Sequence, residues 1–193
     1  MVARRQQYYT IKQNSNLETF TNAKKMVLNT SFTRQRTAYL ANLDLITIDA
    51  PIVDIIRSFS ELPYCFTLQS CYGHFLVGEQ QDIHNLEPLP VLDGNTSVEY
   101  RLAYIALCVE NSDKGRELLE ELSKIPLSDP DYIQFGSAEW FWERQINSYA
   151  VQVEPKRHMD KDKIFVDYAE ALYLQEIRNQ FFTEIRTLLN KSP

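Results

Sequence analysis

The sequence has few of the features that mark membrane, secreted or nucleotide-triphosphate-binding proteins. It contains no run of eighteen apolar residues, which excludes a membrane-spanning helix. Two arginines near the start are not followed by an apolar segment, so we expect no secretory signal. Three cysteines, an odd number, indicate free thiols in a reducing compartment. These absences predict a cytoplasmic protein that does not enter a membrane.

Glycine is also scarce, with five residues in 193, and the glycine-rich phosphate-binding patterns are missing. The chain has neither a P-loop nor a G-x-G-x-x-G motif. Nucleotide binding of the Walker or Rossmann type is therefore not indicated.

The length and the 44% hydrophobic content suit one domain with a sizeable core. A net charge of −6 argues against nucleic-acid binding over the whole surface. The charge is uneven, however, because residues 1–43 carry +6 and the rest carry −12. We therefore predict a flexible basic arm over residues 1–16 and one domain over residues 17–193. The basic residues of the first segment are either phosphate contacts or a solvated helix face.

The spacing of apolar residues predicts an α+β fold, in which helices cover a mostly antiparallel sheet and a long helix ends the chain. Ile52, Ile55, Ile56, Phe59 and Leu62 have helical spacing between Asp49 and Pro63. The other predicted elements are a weak helical stripe from Leu17 to Leu28, a helix around Phe32–Leu43, a hairpin of strands 64–68 and 74–77 joined by a turn at 69–73, one long strand over 98–110, a helix from Ser112 to Pro126, strands over 132–135 and 148–153, and a helix over 164–188.

The stretch LPYCFTLQSCYGHF, residues 62–75, concentrates the chemically active side chains. Cys65, Cys71 and His74 supply only half of a zinc knuckle, and His84 and His158 lie in other segments, so we predict no metal site. The C-x5-C spacing of Cys65 and Cys71 lacks the helix N-terminal geometry that lowers the pKa of a redox thiol. A catalytic pair of Cys71 and His74 needs a third group to orient the base, and the sequence identifies no such carboxylate. What remains is a ligand-binding turn with backbone N–H donors, or a turn that glycine makes for structural reasons alone.

The segment EWFWER places Trp140 and Trp142 on either side of a phenylalanine. On a strand, both rings would lie on one face and could stack a nucleobase. Aromatic residues of this kind are also common in cores, because they bury large areas. The sequence leaves both interpretations open.

One motif resembles a known family. The segment TLQSCYGH resembles the T-x-S-S-C-x-G-R motif of the tRNA wybutosine-synthesising methyltransferase family, the third enzyme of that pathway, at Thr67, Ser70, Cys71 and Gly73. The family has a helix opened by aspartate before this motif. It continues with a strand, a helix, further strands and a long C-terminal helix, and the predicted elements follow the same order.

The resemblance implies methyl transfer from S-adenosylmethionine to a guanosine nitrogen in tRNA. It implies cofactor contacts at Ser70, Cys71, Gly73 and His74. It also implies tRNA phosphate contacts at four basic residues, which are Lys24, Lys25, Arg34 and Arg36.

The sequence departs from the family at several positions. Gln69 replaces a serine, His74 replaces an arginine, and Leu172 replaces an asparagine in the last helix. The family segment that contains glycine and serine has no clear counterpart around GSAEW. The alternative function is therefore a non-catalytic ligand-binding or interaction protein on the same scaffold.

Overall fold

The computed structural model describes residues 20–79, 82–91, 96–158 and 162–191. The fold is α+β, as the sequence predicts. The predicted arm over residues 1–16 lies outside the described residues. In chain order the elements are β1 (Phe20–Thr21), α1 (Phe32–Asn42), α2 (Val53–Glu61), β2 (Cys65–Cys71), β3 (His74–Val77), β4 (Ser97–Arg101), β5 (Ala103–Val109), α3 (Asp113–Lys124), β6 (Ile133–Ala138), α4 (Glu139–Arg144), β7 (Ser148–Val153), β8 (Lys163–Asp167) and α5 (Tyr168–Lys191).

The strands form two sheets, and every strand pairing in them is antiparallel. The larger sheet has the order β1-β6-β7-β5-β2 and the smaller has the order β3-β4-β8. The prediction of a hairpin between β2 and β3 was therefore wrong, because these two strands belong to different sheets. The chain leaves one sheet and enters the other at Tyr72 and Gly73.

The predicted long strand over 98–110 is broken at Leu102, and its two halves also belong to different sheets. The N–H of Leu102 bonds to the carbonyl of Asp162 at 3.3 Å, outside the larger sheet. The buried hydroxyl of Tyr100 accepts from the N–H of Ala103 at 3.0 Å and donates to the carbonyl of Val153 at 3.0 Å. These bonds satisfy the backbone where the chain changes sheets.

Local signals mark the starts of two helices. Ser112 caps α3 by accepting a hydrogen bond from the N–H of Gly115 at 3.2 Å. The helix opened by Asp49 begins with a 3-10 turn over Ala50–Ile52 that contains proline, and continues as α2. The predicted start at Ser112 is confirmed. Asp49 precedes the 3-10 turn as predicted, but its side chain makes no capping hydrogen bond, and α2 itself begins at Val53.

Two further predicted elements were wrong. The weak stripe that includes Phe20 is a two-residue strand followed by irregular chain, rather than a helix. Residues 163–167, predicted in part as helix, form β8, because Ile164 and Val166 point to the core with the period of a strand. The EWFWER segment, whose secondary structure the sequence left open, is α4, so its tryptophans do not share a strand face.

Helices pack against both sheets and enclose the main core. Helix α5 contacts β4 and β8 of the smaller sheet and β7 of the larger one. Helix α2 contacts β2, and α3 contacts β5. The opposite face of the larger sheet has two small apolar clusters, one beneath Phe32 and one beneath Phe20 and Phe141. Within the described residues, no helix has the length and apolarity needed to cross a bilayer.

Candidate functional site

The residues of the QSCYGH turn lie where the chain passes between the two sheets. Ser70 and Cys71 end β2, Gly73 lies in the link, and His74 begins β3. Gly73 has φ +89°, and a Cβ there would lie 2.8 Å from the Cβ of Ala103. Glycine is therefore required by the conformation and by the close approach of β5.

Asp49, at the start of the helix before the turn, reaches into this junction. Its Oδ2 accepts a hydrogen bond from the N–H of Tyr72 at 2.7 Å and lies 3.2 Å from Nε2 of His74. The other ring nitrogen of His74, Nδ1, lies 3.1 Å from the backbone carbonyl of Asn85. His74 is only 3% exposed, so this imidazole is held on both sides inside the protein.

The contacts of His74 determine its charge. Burial lowers the pKa of His74, but the hydrogen bonds to Asp49 and Cys71, the charge of Cys71 and the Asn85 carbonyl together raise it to about 10. Burial alone would raise the pKa of Asp49. The contacts with His74 and Tyr72 outweigh burial and hold the pKa of Asp49 below its ordinary value. In the metal-free protein these shifts favour an imidazolium and a carboxylate at neutral pH, with Nε2 of His74 donating to Asp49.

A second histidine joins this pair from the loop after β3. The ring of His84 lies edge-on to the ring of His74, with centroids 5.9 Å apart. One ligand atom each from Asp49, His74 and His84 lies within 4.8 Å of the other two. Sequence reasoning did not anticipate this grouping, because the three residues come from segments separated along the chain. We name this group the Asp49–His74–His84 cluster.

Arg178 of α5 places a guanidinium against the same turn. It donates to the carbonyl of Gly73 at 2.9 Å, and its central carbon lies 4.1 Å from the centroid of the Tyr72 ring. Arg178 is 4% exposed, and burial lowers its pKa from the ordinary value. A fixed cation thus contacts the turn although His74 stands where the family motif has arginine.

The two backbone donors of the link are engaged within the chain. The N–H of Tyr72 binds Asp49, and the N–H of Gly73 lies 3.4 Å from Sγ of Cys71. A ligand at this turn would therefore meet the side chains of Ser70 and Cys71, which are half-buried, in preference to these two N–H groups.

The three thiols are free and differ in their surroundings. Cys65 is fully buried in β2, and burial raises its pKa to about 12. Cys108 is also buried, and its pKa is raised to about 12 for the same reason. Cys71 is half-buried. Among the described residues, the group that could hold a metal ion includes His74 but not Cys65 or Cys71.

The predicted phosphate contacts Lys24 and Arg36 have partners in the protein. Lys24 pairs with Glu139 through Nζ, which lies 5.4 Å from the centroid of the Trp142 ring. Arg36 donates to three backbone carbonyls at the end of α2 and the start of β2. These carbonyls belong to Ser60, Leu62 and Cys65, at 2.7, 3.2 and 3.1 Å.

The other two predicted phosphate contacts, Lys25 and Arg34, are exposed. The guanidinium of Arg34 has a long hydrogen bond of 3.4 Å to the hydroxyl of Ser31. These two residues are the ones whose cationic groups face solvent.

The half-buried Trp142 ring packs edge-on against Tyr149, with centroids 5.7 Å apart. The side chain of Trp140 lies outside the described part of the structure. The interpretation of this pair as a base-stacking platform is not supported by the contacts of Trp142, which are with neighbouring core and surface groups.

A surface groove of about 580 Å³ lies between α3 and the end of α5, away from the turn. Its lining mixes both signs of charge, with lysines 114, 124 and 191 beside glutamates 117, 121 and 184. It contains none of the residues selected from the sequence.

Comparison with known proteins gives likeness of structure only. No family model matches the chain, and no curated protein matches it. A structure of PH1069 protein from Pyrococcus horikoshii OT3 is similar at 14% identity and TM-score 0.50, covering 86% of this chain and 95% of that one. Another structure of PH1069 from Pyrococcus horikoshii has 13% identity and TM-score 0.49, with 83% and 93% covered. A hypothetical protein from Aeropyrum pernix has 14% identity and TM-score 0.41, with 74% and 98% covered. The first of these shows a shared fold.

Proposed function

We propose that this chain is a divergent relative of the tRNA wybutosine-synthesising methyltransferases that binds S-adenosylmethionine beside the Cys71–His74 turn. The proposal rests on one observation. Segments that the resemblance identifies at separate points in the sequence lie together in the fold. The aspartate that opens α2 bonds to the backbone of the motif turn at 2.7 Å. The proposed setting is the cytoplasm.

The long C-terminal helix supports the same assignment. Its Arg178 donates to the carbonyl of Gly73, a residue of the motif. Motif residues, the aspartate and the final helix thus form one polar junction, which is what a shared binding site built from these three segments requires. The half-buried side chains of Ser70 and Cys71 are the proposed cofactor contacts, and Gly73 and His74 hold the turn in place.

A tRNA substrate would be held by basic residues of the first segment. Lys25 and Arg34 are the proposed phosphate contacts, because their cationic ends are exposed. Lys24 and Arg36 would support this surface indirectly through their partners in the protein. Phosphate contacts of this kind weaken as salt rises.

Thermal unfolding with S-adenosylmethionine and with its demethylated product tests the cofactor proposal. A ligand at a hundredfold excess over its Kd stabilises the native state by about 2.7 kcal/mol, which raises the Tm of a domain of this size by about 5–10 °C. Ser70→Ala should reduce the shift. Ser97→Ala, at the exposed start of β4, is the matched control and should keep it. No shift with either compound would contradict the proposal.

A charge-reversal pair tests the RNA surface. Lys25→Glu with Arg34→Glu should weaken tRNA binding and flatten its dependence on salt. The control pair, Arg57→Glu with Lys156→Glu, makes the same change of net charge at other exposed positions. Equal loss in both pairs would indicate a general charge effect and would remove the proposed surface.

The second candidate function is a binding or interaction protein that has lost catalysis. It is favoured by the engagement of the Tyr72 and Gly73 N–H groups within the chain, together with Gln69 and His74 in place of the family residues. Ligand-induced stabilisation without methyl transfer to tRNA in a radiolabel assay would select this candidate.

A further inference from the structure

We propose that the Asp49–His74–His84 cluster is a binding site for a divalent transition-metal ion of the Zn²⁺ type, with an open position for water. This proposal does not depend on the proposed methyltransferase function. It uses none of the cysteines of the sequence motif.

The separation of the first two ligand atoms fits a shared ion. Nε2 of His74 and Oδ2 of Asp49 lie 3.2 Å apart. Two atoms that each lie about 2.0–2.1 Å from a tetrahedral Zn²⁺ are about 3.3 Å from one another. An ion could therefore occupy the space between these atoms with little movement of either side chain.

The second nitrogen of His74 is positioned as metal-bound histidines require. Nδ1 lies 3.1 Å from the backbone carbonyl of Asn85, which accepts its proton and leaves Nε2 directed at Asp49. Histidine ligands commonly donate their other ring N–H to a carbonyl or carboxylate, which fixes the tautomer and the ring orientation. Asp49 is oriented in the same way by the N–H of Tyr72 at 2.7 Å.

His84 supplies the third ligand from the solvent side. It is exposed, and its ring stands edge-on to His74 with centroids 5.9 Å apart. The side chain of Asp82 accepts from the N–H of His84 at 2.9 Å, which shapes the loop that carries the ring. Because His84 is exposed while His74 is buried, the fourth position would face solvent.

The donor set selects the class of ion. Two imidazoles and one carboxylate suit Zn²⁺, Co²⁺ or Ni²⁺, whereas Mg²⁺ and Ca²⁺ prefer oxygen ligands throughout. Three protein ligands with an open position are typical of catalytic rather than structural zinc sites.

Titration of the chelator-treated, untagged protein with Zn²⁺ and with Co²⁺ tests the proposal, using calorimetry and the visible absorption of Co²⁺. We expect one ion per chain. His84→Ala should weaken binding at least about tenfold, and the variant should keep its fold because His84 is exposed. Asp49→Asn should also weaken it, with circular dichroism to verify the fold. His158→Ala is the matched control and should leave the affinity unchanged.

Two results would overturn the proposal. One is no stoichiometric binding at free Zn²⁺ up to about 100 µM, a hundredfold above micromolar affinity. The other is binding that survives His84→Ala but disappears in Cys71→Ser, which would assign the ion to the thiol. Retention of binding in Cys71→Ser together with its loss in His84→Ala supports the Asp49–His74–His84 cluster.

Discussion

Arg178 donates a hydrogen bond to the backbone carbonyl of Gly73 at 2.9 Å, across 105 residues of sequence. Its guanidinium also lies 4.1 Å from the Tyr72 ring centroid and 5.2 Å from that of Phe75. These contacts hold the final helix, α5, against the link where the chain passes between the two sheets.

Replacing Arg178 by alanine should lower the free energy of unfolding by about 3 kcal/mol, because a charged hydrogen bond and buried cation–π contacts are lost together. Urea unfolding monitored by circular dichroism measures this change. Arg34→Ala, at an exposed position, should change it by less than about 0.5 kcal/mol. Equal effects of the two variants would show that Arg178 does not stabilise the junction.

Gly73→Ala should destabilise the protein by about 2–4 kcal/mol, because the new Cβ meets Ala103 and the backbone has φ +89°. Gly78→Ala separates the two causes. Gly78 has φ +61° but open space around the added Cβ, so about 1 kcal/mol is expected. Chemical denaturation of both variants provides the comparison, and a smaller loss at Gly73 than at Gly78 would contradict the packing argument.

Stability should fall as the pH rises from 6.5 towards 10 in metal-free protein. The folded pKa of His74 is raised to about 10 from its ordinary value of 6.5, so the stabilisation from its charged form is complete below pH 6.5 and disappears as the pH approaches 10. The groups facing His74 are Asp49, Cys71 and His84. Asp49→Asn removes the carboxylate and should flatten this part of the profile.

The control for the pH profile is Asp54→Asn. Asp54 lies on the surface and its pKa is lowered by the hydrogen bond from Arg186, so its stabilising effect is lost only as the pH falls below the ordinary carboxyl range. Urea unfolding at a series of pH values gives the profiles. An alkaline slope that is the same in Asp49→Asn and in the unmodified protein would be inconsistent with the His74–Asp49 ion pair.

One thiol should react quickly with an alkylating reagent in the native protein, and all three should react quickly after denaturation. The pKa values of Cys65 and Cys108 are raised to about 12, and both side chains are buried, so little thiolate is present at pH 8. Cys71 is half-buried and more accessible. Timed alkylation with peptide mapping checks the order, and modification of Cys65 before Cys71 would contradict it.

Tyr100→Phe should lower the free energy of unfolding by about 1–3 kcal/mol. The hydroxyl that is lost accepts a hydrogen bond from the N–H of Ala103 and donates one to the carbonyl of Val153 inside the core. Tyr173→Phe is the exposed control, since its hydroxyl bonds to Asp129 at the surface. Thermal unfolding of the two variants should differ by several degrees. An unchanged Tm in Tyr100→Phe would mean that other groups form hydrogen bonds with the backbone at the break between β4 and β5.

Local patterns in the sequence were sufficient wherever the determinants lie close together in the chain. Ser112 predicts the start of α3 because its hydroxyl accepts a hydrogen bond from a residue only three positions away. The predicted strand over 148–153 has the same bounds as the observed β7. The pattern failed at Leu102, where the break depends on Asp162, sixty residues later. The pattern also failed at Ile164. The spacing of four residues from Ile164 to Tyr168 fits a helix, but the spacing of two residues through Val166 fits the strand that is observed.

The candidate site was predicted in part. The turn residues Cys71 and His74 were identified, and Asp49 was assigned only to a helix start. The grouping with His84 depends on tertiary contacts between segments that have no common local motif. Alternating apolar residues show where strands occur but not to which sheet each one belongs.

The two links between the sheets, at Gly73 and at Leu102, lie against each other, since the Gly73 backbone approaches Ala103 within contact distance. We therefore expect that separation of the two sheets requires both links to open together. Amide hydrogens in the middle of β4 and of β5 should therefore exchange with solvent through the same cooperative opening, so that two sheets distinct in hydrogen bonding behave as a single unit in folding.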